Sequence, residues 1–345
     1  MFDFDKLKLE GYIKRLNEPN VLIIGDMGID EMVYGNTERI SREAPVLILR
    51  HSNTNIILGQ AANAANNLAS INGGKVSAIG LYGSDFYGPV LLETFEKAGI
   101  NTEFMVKDDS RSTTVKSRIS GSSTHSVTQQ VVRIDRVDAK PLSEEVENKL
   151  IENIEKAVPL HDAVILSDYN IGMLTDRVIQ AAVNICKKHN KILVADIQQD
   201  MHRYNGVYAL TPNQPDSEKA AGFFIRDNET LDKAGSRIME MTDAKVLLLT
   251  RGAEGMAVFA KESGNRIDVP VFNKTNVFDV TGAGDTVVAS FTLALAIGAE
   301  PKYAAIIGNI AASIVIRSFG CATTSIDEML GSLSRMNMKN YIIKS

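Results

Sequence analysis

The chain has 345 residues, 44% hydrophobic and 23% charged, with 25 glycines, nine prolines and no tryptophan, a globular composition that excludes disorder, collagen-like repeats and a disulfide-stapled miniprotein. Its 37 basic and 42 acidic residues give a net charge of −5, so no whole-molecule attraction draws it to nucleic acid or to an anionic membrane, and any basic site must be local. The two cysteines, Cys186 and Cys321, belong to no CxxC or Cys/His cluster, which removes a disulfide framework and structural zinc and fits a reducing, cytoplasmic setting.

At the N-terminus, residues 1–6 carry acidic side chains where a secretion signal would place positive charge and then an apolar stretch, which argues against export. The β-branched run at 21–24 reads as a strand before a glycine turn, 62–71 as a helix, 76–79 as a strand and 89–98 as a helix closed by Gly99. Helices follow at 144–157, 175–190 and 231–241, alternating with strands at 163–166, 192–195 and 246–249. Continuous apolar strands of this kind suit a parallel sheet covered on both faces, so the pattern predicts a doubly wound α/β fold. Two stretches break the rhythm. Residues 31–58 contain strand-like runs at 46–50 and 55–58 without a convincing helix, and 103–135 pairs runs at 113–119 and 127–134 about a Ser-Gly turn at 120–123. They predict a small, separate antiparallel sheet, either a lid over the ligand-binding edge or a surface hairpin. The apolar segments 287–297 and 304–316 are shorter than the ~20 residues that cross a bilayer and read as buried helices, the second interrupted by Asn309. The 345 residues are thus expected to form one α/β domain with an inserted lid at about 31–58 and 103–135.

The sharpest local signal is Asp279-Val280-Thr281-Gly282-Ala283-Gly284-Asp285-Thr286, which runs straight into the apolar helix. Small residues at Gly282, Ala283 and Gly284 let backbone amides converge on an anion at a helix start. A carboxylate beside that hole, Asp285, can accept the proton of an attacking hydroxyl; it can equally be an ordinary favourable acid in a first helical turn. No GxxxxGK[ST] loop is present, since the spacing Gly83 to Gly88 is followed by Pro89. The turn after the first strand, at 25–30, lacks GxGxxG, and HExxH, GxSxG and catalytic-cysteine signatures are absent.

With these residues in view, the chain resembles the ribokinase-like, or phosphofructokinase-B type, carbohydrate kinases. The likeness is carried by the octet at 279–286, Gly59-Gln60-Ala61-Ala62-Asn63, Asp26 with Asp30, Thr211-Pro212-Asn213 and Thr250-Arg251-Gly252, and spans about residues 20–330. Within that family it extends to kinase domains acting on D-glycero-β-D-manno-heptose 7-phosphate. Here it is carried by Tyr34-Gly35, Arg39-Ile40-Ser41, Glu43-Ala44-Pro45-Val46, Thr114-Val115-Lys116-Ser117-Arg118 and Leu166-Ser167-Asp168-Tyr169. The resemblance implies transfer of phosphate from ATP to the anomeric hydroxyl, giving a 1,7-bisphosphate, without the nucleotidyltransferase domain often fused after such kinases. It implies Asp285 as base and Gly282, Ala283 and Gly284 as anion hole. Sugar contacts would come from Asp30, Gly59 and Asn63. Asn213 and Asp216 would organise Mg²⁺ and its waters, and Asn213, Thr250, Gly252, Gly255 and Asn309 would contact ATP. Asp279 and Thr281 correspond to positions that hold a monovalent cation such as K⁺ in several relatives.

Lys116, Arg118 and Arg133 are cations suited to a distal phosphate, although charges on exposed strands also serve solubility. Asp30 could cap a turn, Asn63 could lie on a helix surface and Asn213 could form an Asx-turn. The histidines at 51, 125, 161, 189 and 202 form no spaced cluster. Several residues depart from the family pattern: Gln60 replaces its second glycine, Asp216 its NxxE glutamate, and Ile171 and Gln198 two lysines of the heptose kinases. They leave open another sugar, sugar phosphate or nucleoside as acceptor, and a non-catalytic sugar- or nucleotide-binding protein on the same fold. Exposed lid strands are suited to pairing between subunits, so a homodimer is expected.

Overall fold

The computed structural model describes residues 5–123, 126–262, 264–272, 278–318 and 320–335, so His125 and the reading of residues 1–4 lie outside the described residues. Among these, the chain runs α1 (Lys6–Lys14), β1 (Val21–Gly25), β2 (Met27–Ile40), β3 (Leu47–Gln60), α2 (Ala61–Asn72), β4 (Val76–Ile79), β5 (Leu81–Tyr82), α3 (Tyr87–Lys97), β6 (Val106–Lys107), β7 (Thr114–Ser123) and β8 (Ser126–Arg136). It continues through α4 (Glu144–Ala157), β9 (Ala163–Asp168), α5 (Asp176–Lys188), β10 (Ile192–Ile197), β11 (Ala209–Leu210), α6 (Gln214–Ala221), α7 (Asn228–Thr242) and β12 (Val246–Thr250). The last elements are β13 (Met256–Ala260), β14 (Ile267–Val269), α8 (Ala283–Ala296), α9 (Pro301–Val315) and α10 (Ile326–Ser334).

The main sheet has the order β14-β13-β12-β11-β10-β9-β1-β4, parallel from β12 to β4 with β13 and β14 added antiparallel. Its strands are apolar on both faces because both are covered. Ile23, Ile165 and Val194 point into a core built with α2, α8 and α9, whereas Leu22, Leu166 and Leu193 point into one built with α4, α5 and α7. Burying one such side chain contributes about 1.5–3 kcal/mol. Gly25, at the end of β1, cannot carry a side chain, since a Cβ there would fall 2.2 Å from the Ser167 carbonyl oxygen of the neighbouring strand. In ligand-binding sheets of this kind, the crevice lies at the carboxyl ends of the strands.

The second sheet has the order β3-β2-β7-β8. It differs from the expected antiparallel arrangement, because β2 and β7 pair in parallel while β2–β3 and β7–β8 are antiparallel. Between β3 and β7 the chain passes through α2, β4 and α3, a crossover long enough to return a strand in the same direction. The two runs expected at 46–50 and 55–58 are one strand, β3, whose hydrogen-bond ladder to β2 continues through the polar residues between them. Residues 103–113 lie outside this sheet, and Val106–Lys107 instead pairs in parallel with Leu81–Tyr82. The buried ends of β2 and β3 sit at the carboxyl edge of the main sheet, and their far ends project into solvent.

Candidate functional site

The start of α8 is fixed by what only glycine tolerates. Gly282 is its N-cap, with φ of +77° in the left-handed region. A Cβ there would fall 2.6 Å from Asn63 Nδ2 and 3.5 Å from Cys321 Sγ. The amide of Ala283 is engaged with the Val280 carbonyl at 3.2 Å, so a ligand anion at this end would be served by the amides of Gly282 and Gly284.

Asp285 is buried in the first turn of α8. Asn63 Nδ2 donates to its Oδ2 at 2.6 Å and Tyr169 Oη donates to its Oδ1 at 2.7 Å. The Asn63 amide has little choice of orientation, because Asn67 Nδ2 donates to the Asn63 carbonyl at 2.9 Å and lies 3.4 Å from Oδ1, leaving Nδ2 to face the carboxylate. Asn67 is held in turn by Thr286 Oγ1, which donates to its Oδ1 at 2.7 Å. Asn63 is thus a fully buried partner of Asp285 rather than a helix-surface residue. Burial raises the Asp285 carboxyl to about 6 against the hydrogen bonds from Asn63 and Tyr169, with nearby Asp30 adding to the rise and Lys116 opposing it. A carboxylate poised there is available as a base at neutral pH.

The second sheet presents a charged face to this point. Asp30 of β2 is opposite Lys116 of β7, Met32 is opposite Arg118, and the period of two places Asp30, Lys116 and Arg118 on one side. Arg118 Nη1 lies 2.7 Å from Asp30 Oδ1, a close ion pair, and Cys321 Sγ lies 3.7 Å from Asp30 Oδ2. Gly59 makes room for that carboxylate, since a Cβ there would come within 2.9 Å of Asp30 Cγ. Lys116 Nζ stands 5.3 Å from the centre of the Tyr169 ring, and burial lowers its pKa against the pull of Asp30 and Asp135. Arg133 of β8, opposite Arg118, is half-exposed and forks onto Asp135 at 2.8 and 3.0 Å.

Across the strand ends lies a second acidic group. Asp196 closes β10, with Thr211 Oγ1 donating to its Oδ1 at 3.0 Å. Its carboxyl keeps some exposure in the cleft, yet desolvation and the neighbouring charges of Asp285 and Asp216 raise it to about 7. Asn213 caps α6 by accepting from the Asp216 amide at 2.8 Å and forms a parallel bridge with Thr250, so the two residues are brought together. Lys219 Nζ lies 3.4 Å from Asp216 Oδ1. Gly252 (φ +53°) and Gly255 (φ +85°) form the tight turn after β12, and a Cβ on Gly255 would fall 2.2 Å from the Val269 carbonyl. Asn309, expected at the nucleotide, lies in α9. It is buried, accepts from the Phe272 amide at 3.2 Å and donates to the Pro270 carbonyl, which ties residues 270–272 to α9. Asp279 accepts from the Thr281 amide at 2.9 Å and the Gly320 amide at 3.0 Å; these bonds and the Arg118 charge outweigh desolvation and keep its pKa low.

Hard carboxylate oxygens at Asp196, Asp216 and Asp285 suit Mg²⁺, which takes one or two carboxylates plus waters and phosphates. Among the described residues, no group of three or more acids, histidines or cysteines is close enough to hold a metal ion unaided. Tyr169 lies in the 166–169 stretch that carries the resemblance, but the sequence assigns no site role to it or to Asp196. Tyr169 is aimed by Asp26, whose carboxylate accepts the amides of Tyr169 (2.9 Å), Ile171 (3.2 Å) and Met173 (3.4 Å). Ile171 therefore contributes its backbone, and its side chain is buried. His161 is structural, its Nδ1 2.7 Å from the Ala157 carbonyl and its Nε2 2.9 Å from Ser77 Oγ. No described helix is long and apolar enough to cross a membrane.

Residues 19–329 match the model of the pfkB family carbohydrate kinases. The chain is 38% identical over 315 residues to the bifunctional protein HldE of Desulfatibacillum aliphaticivorans, covering 91% of this chain and 63% of that protein. It is 35% identical over 330 residues to HldE of Geobacter metallireducens, covering 95% and 66%. The chain thus spans just under two thirds of the length of these relatives. Among solved structures, it is similar to phosphofructokinase-2 of Escherichia coli in complex with potassium, with a TM-score of 0.72, 18% identity and coverage of 92% of this chain and 98% of the other. Similarity to Arabidopsis thaliana ribokinase complexed with ribose and ATP gives a TM-score of 0.68 at 15% identity, covering 91% and 98%. These two likenesses are of fold.

Proposed function

Because the chain belongs to the pfkB family carbohydrate kinases and is a sugar kinase, a phosphotransferase with a sugar hydroxyl as acceptor, we propose that it phosphorylates the anomeric O1 of D-glycero-β-D-manno-heptose 7-phosphate at the expense of ATP. The carrying observation is Asp285, buried between Asn63 and Tyr169 at a helix start and facing the Asp30, Lys116 and Arg118 side of the second sheet. The acceptor O1 attacks the γ-phosphorus of ATP, the bond from that phosphorus to the bridging oxygen breaks, ADP leaves, and the O1 proton passes to Asp285. The amides of Gly282 and Gly284 at the start of α8 take the charge that develops on the transferred group. Mg²⁺, when bound, neutralises phosphate charge, and Asp216, Asp196 and Asn213 would hold it through water. Asp279 and Thr281 are the residues for a monovalent cation such as K⁺. Asp30 orients acceptor hydroxyls over Gly59, and Lys116 and Arg118, with Arg133 farther out, take the distal phosphate.

An acceptor screen with the purified chain, read as ADP release from ATP, tests the assignment. Turnover is expected with heptose 7-phosphate and little with the unphosphorylated heptose; activity confined to unphosphorylated sugars or nucleosides would reject the distal-phosphate role. A second result separates Asp285 chemistry from structure. Tyr169 lowers the Asp285 pKa, so Tyr169→Phe should move the acid limb of kcat/KM upward from about 6 and cost about tenfold below the limb. A uniform loss at every pH would assign Tyr169 to packing alone.

The homodimer also belongs to this reading. Ile40, Leu47, Val132 and Ile134 leave large apolar side chains exposed on the outer second sheet, as a self-pairing surface requires. Sedimentation at micromolar concentration should give a dimer, and a monomer throughout would overturn the pairing.

A further inference from the structure

The joint between β3 and α2 holds a residue that is doubly unfavourable. Gln60 has φ of +57° and ψ of −135°, a conformation that glycine adopts freely and side-chain-bearing residues adopt at a cost. Its side chain is buried at 5% exposure, and neither Nε2 nor Oε1 has a hydrogen-bond partner among the described residues. A buried carboxamide without partners forfeits the hydrogen bonds it made with water. Glycine at this position would remove both costs.

The position of the carboxamide shows where it can recover them. Oε1 falls 2.1 Å from where a Cβ on Gly28 would stand, so the amide fills the space left by that missing side chain. Gly28 is two residues before Asp30 on the same strand, directly opposite Gly59, so its side-chain direction is the face that carries Asp30, Lys116 and Arg118. The Gln60 amide is therefore the deep end of the cradle in which Asp30 stands. A carboxamide offers both a donor and an acceptor, which complement adjacent hydroxyls of a polyhydroxylated ring. Gln60 is also the residue at which β3 of the second sheet joins α2.

We propose that Gln60 is a specificity-determining residue whose carboxamide binds a hydroxyl pair of the sugar acceptor at the deep end of that cradle. The inference rests on the sugar-kinase reading above. The test uses the full chain, heptose 7-phosphate and its 2-, 3- and 4-deoxy analogues, in Gln60→Gly, which removes the strain, and Gln60→Leu, which keeps bulk without hydrogen bonding. The wild type should disfavour one deoxy analogue by about tenfold or more in kcat/KM. Both variants should lose that discrimination, with acceptor KM raised about tenfold and ATP KM unchanged. Gln60→Gly should also melt higher than the wild type, which shows that the fold survives. Unchanged acceptor KM and deoxy profile in both variants, or equal losses for acceptor and ATP, would overturn the role of Gln60 while leaving the kinase reading intact. Failure of the wild type to bind or phosphorylate any sugar, measured by calorimetry and ADP release, would remove both.

Discussion

Asp285→Asn is expected to fold normally and to lose about 10²–10⁴ in kcat, the usual cost of removing a positioned general base. Asparagine preserves the size of the side chain and one acceptor oxygen but cannot take up the acceptor proton. The environment suits this carboxylate to the proposed role of base. Desolvation pushes its pKa up, and the bonds from Asn63 and Tyr169 oppose that rise, leaving it at about 6. The carboxylate is thus ionised at pH 7 and still basic enough to accept a proton. Loss of kcat with a nearly constant KM for ATP is the expected pattern, because other residues are proposed to hold the nucleotide. Undiminished turnover in a folded Asp285→Asn protein would remove Asp285 from the chemistry.

The second large effect is expected from a single methyl group. Gly282→Ala must adopt φ near +77° and places Cβ 2.6 Å from Asn63 Nδ2, the atom that donates to Asp285. The strained backbone costs ~1–3 kcal/mol in stability. Displacing Asn63 misaligns the base, and misplacement on the ångström scale costs about 10²-fold in rate. Thermal melting and steady-state kinetics read the two effects separately. Wild-type values for both would show that the helix start accommodates a side chain and that the close approach of Gly282 to Asn63 is not needed.

Much of the fold is legible in the sequence where local signals and tertiary demands coincide. The helix at 144–157 is found at its expected limits because Ser143 caps it, accepting from the Val146 amide at 3.3 Å, and Glu144, Glu145 and Glu147 fill the first turn. The strand at 76–79 is likewise a short apolar run buried on both faces. β2 was not legible, because Asp30, Glu31, Asn36, Thr37 and Glu38 give its 14 residues no simple alternation. One end of β2 is buried in the site and the other is in solvent, so no single period describes it. The parallel pairing of β2 with β7 depends on a crossover through α2, β4 and α3, which local pattern does not specify.

The candidate site divides in the same way. Asp285, Gly282 and Asn63 lie in runs of small residues around helix starts, where a charged or amide side chain stands out. Tyr169 and Asp196 are brought together because β9 and β10 end side by side, a convergence that local hydrophobic pattern does not specify. Asn309 stands out in the sequence as a polar residue in an apolar helix, and the fold adds that it bonds the backbone of Pro270 and Phe272. Gln60 is visible in the sequence only as a departure, and its backbone angles and unpartnered amide give that departure physical content.

The central claim is that this chain moves a phosphoryl group from ATP to O1 of heptose 7-phosphate, with Asp285 taking the proton. Phosphorus NMR of the product formed by the wild-type chain from ATP and D-glycero-β-D-manno-heptose 7-phosphate measures that step most directly. A second phosphate ester, coupled to the anomeric proton and accumulating in step with ADP, is the predicted result. Esterification at another carbon, or ADP and inorganic phosphate with no new ester, would contradict it.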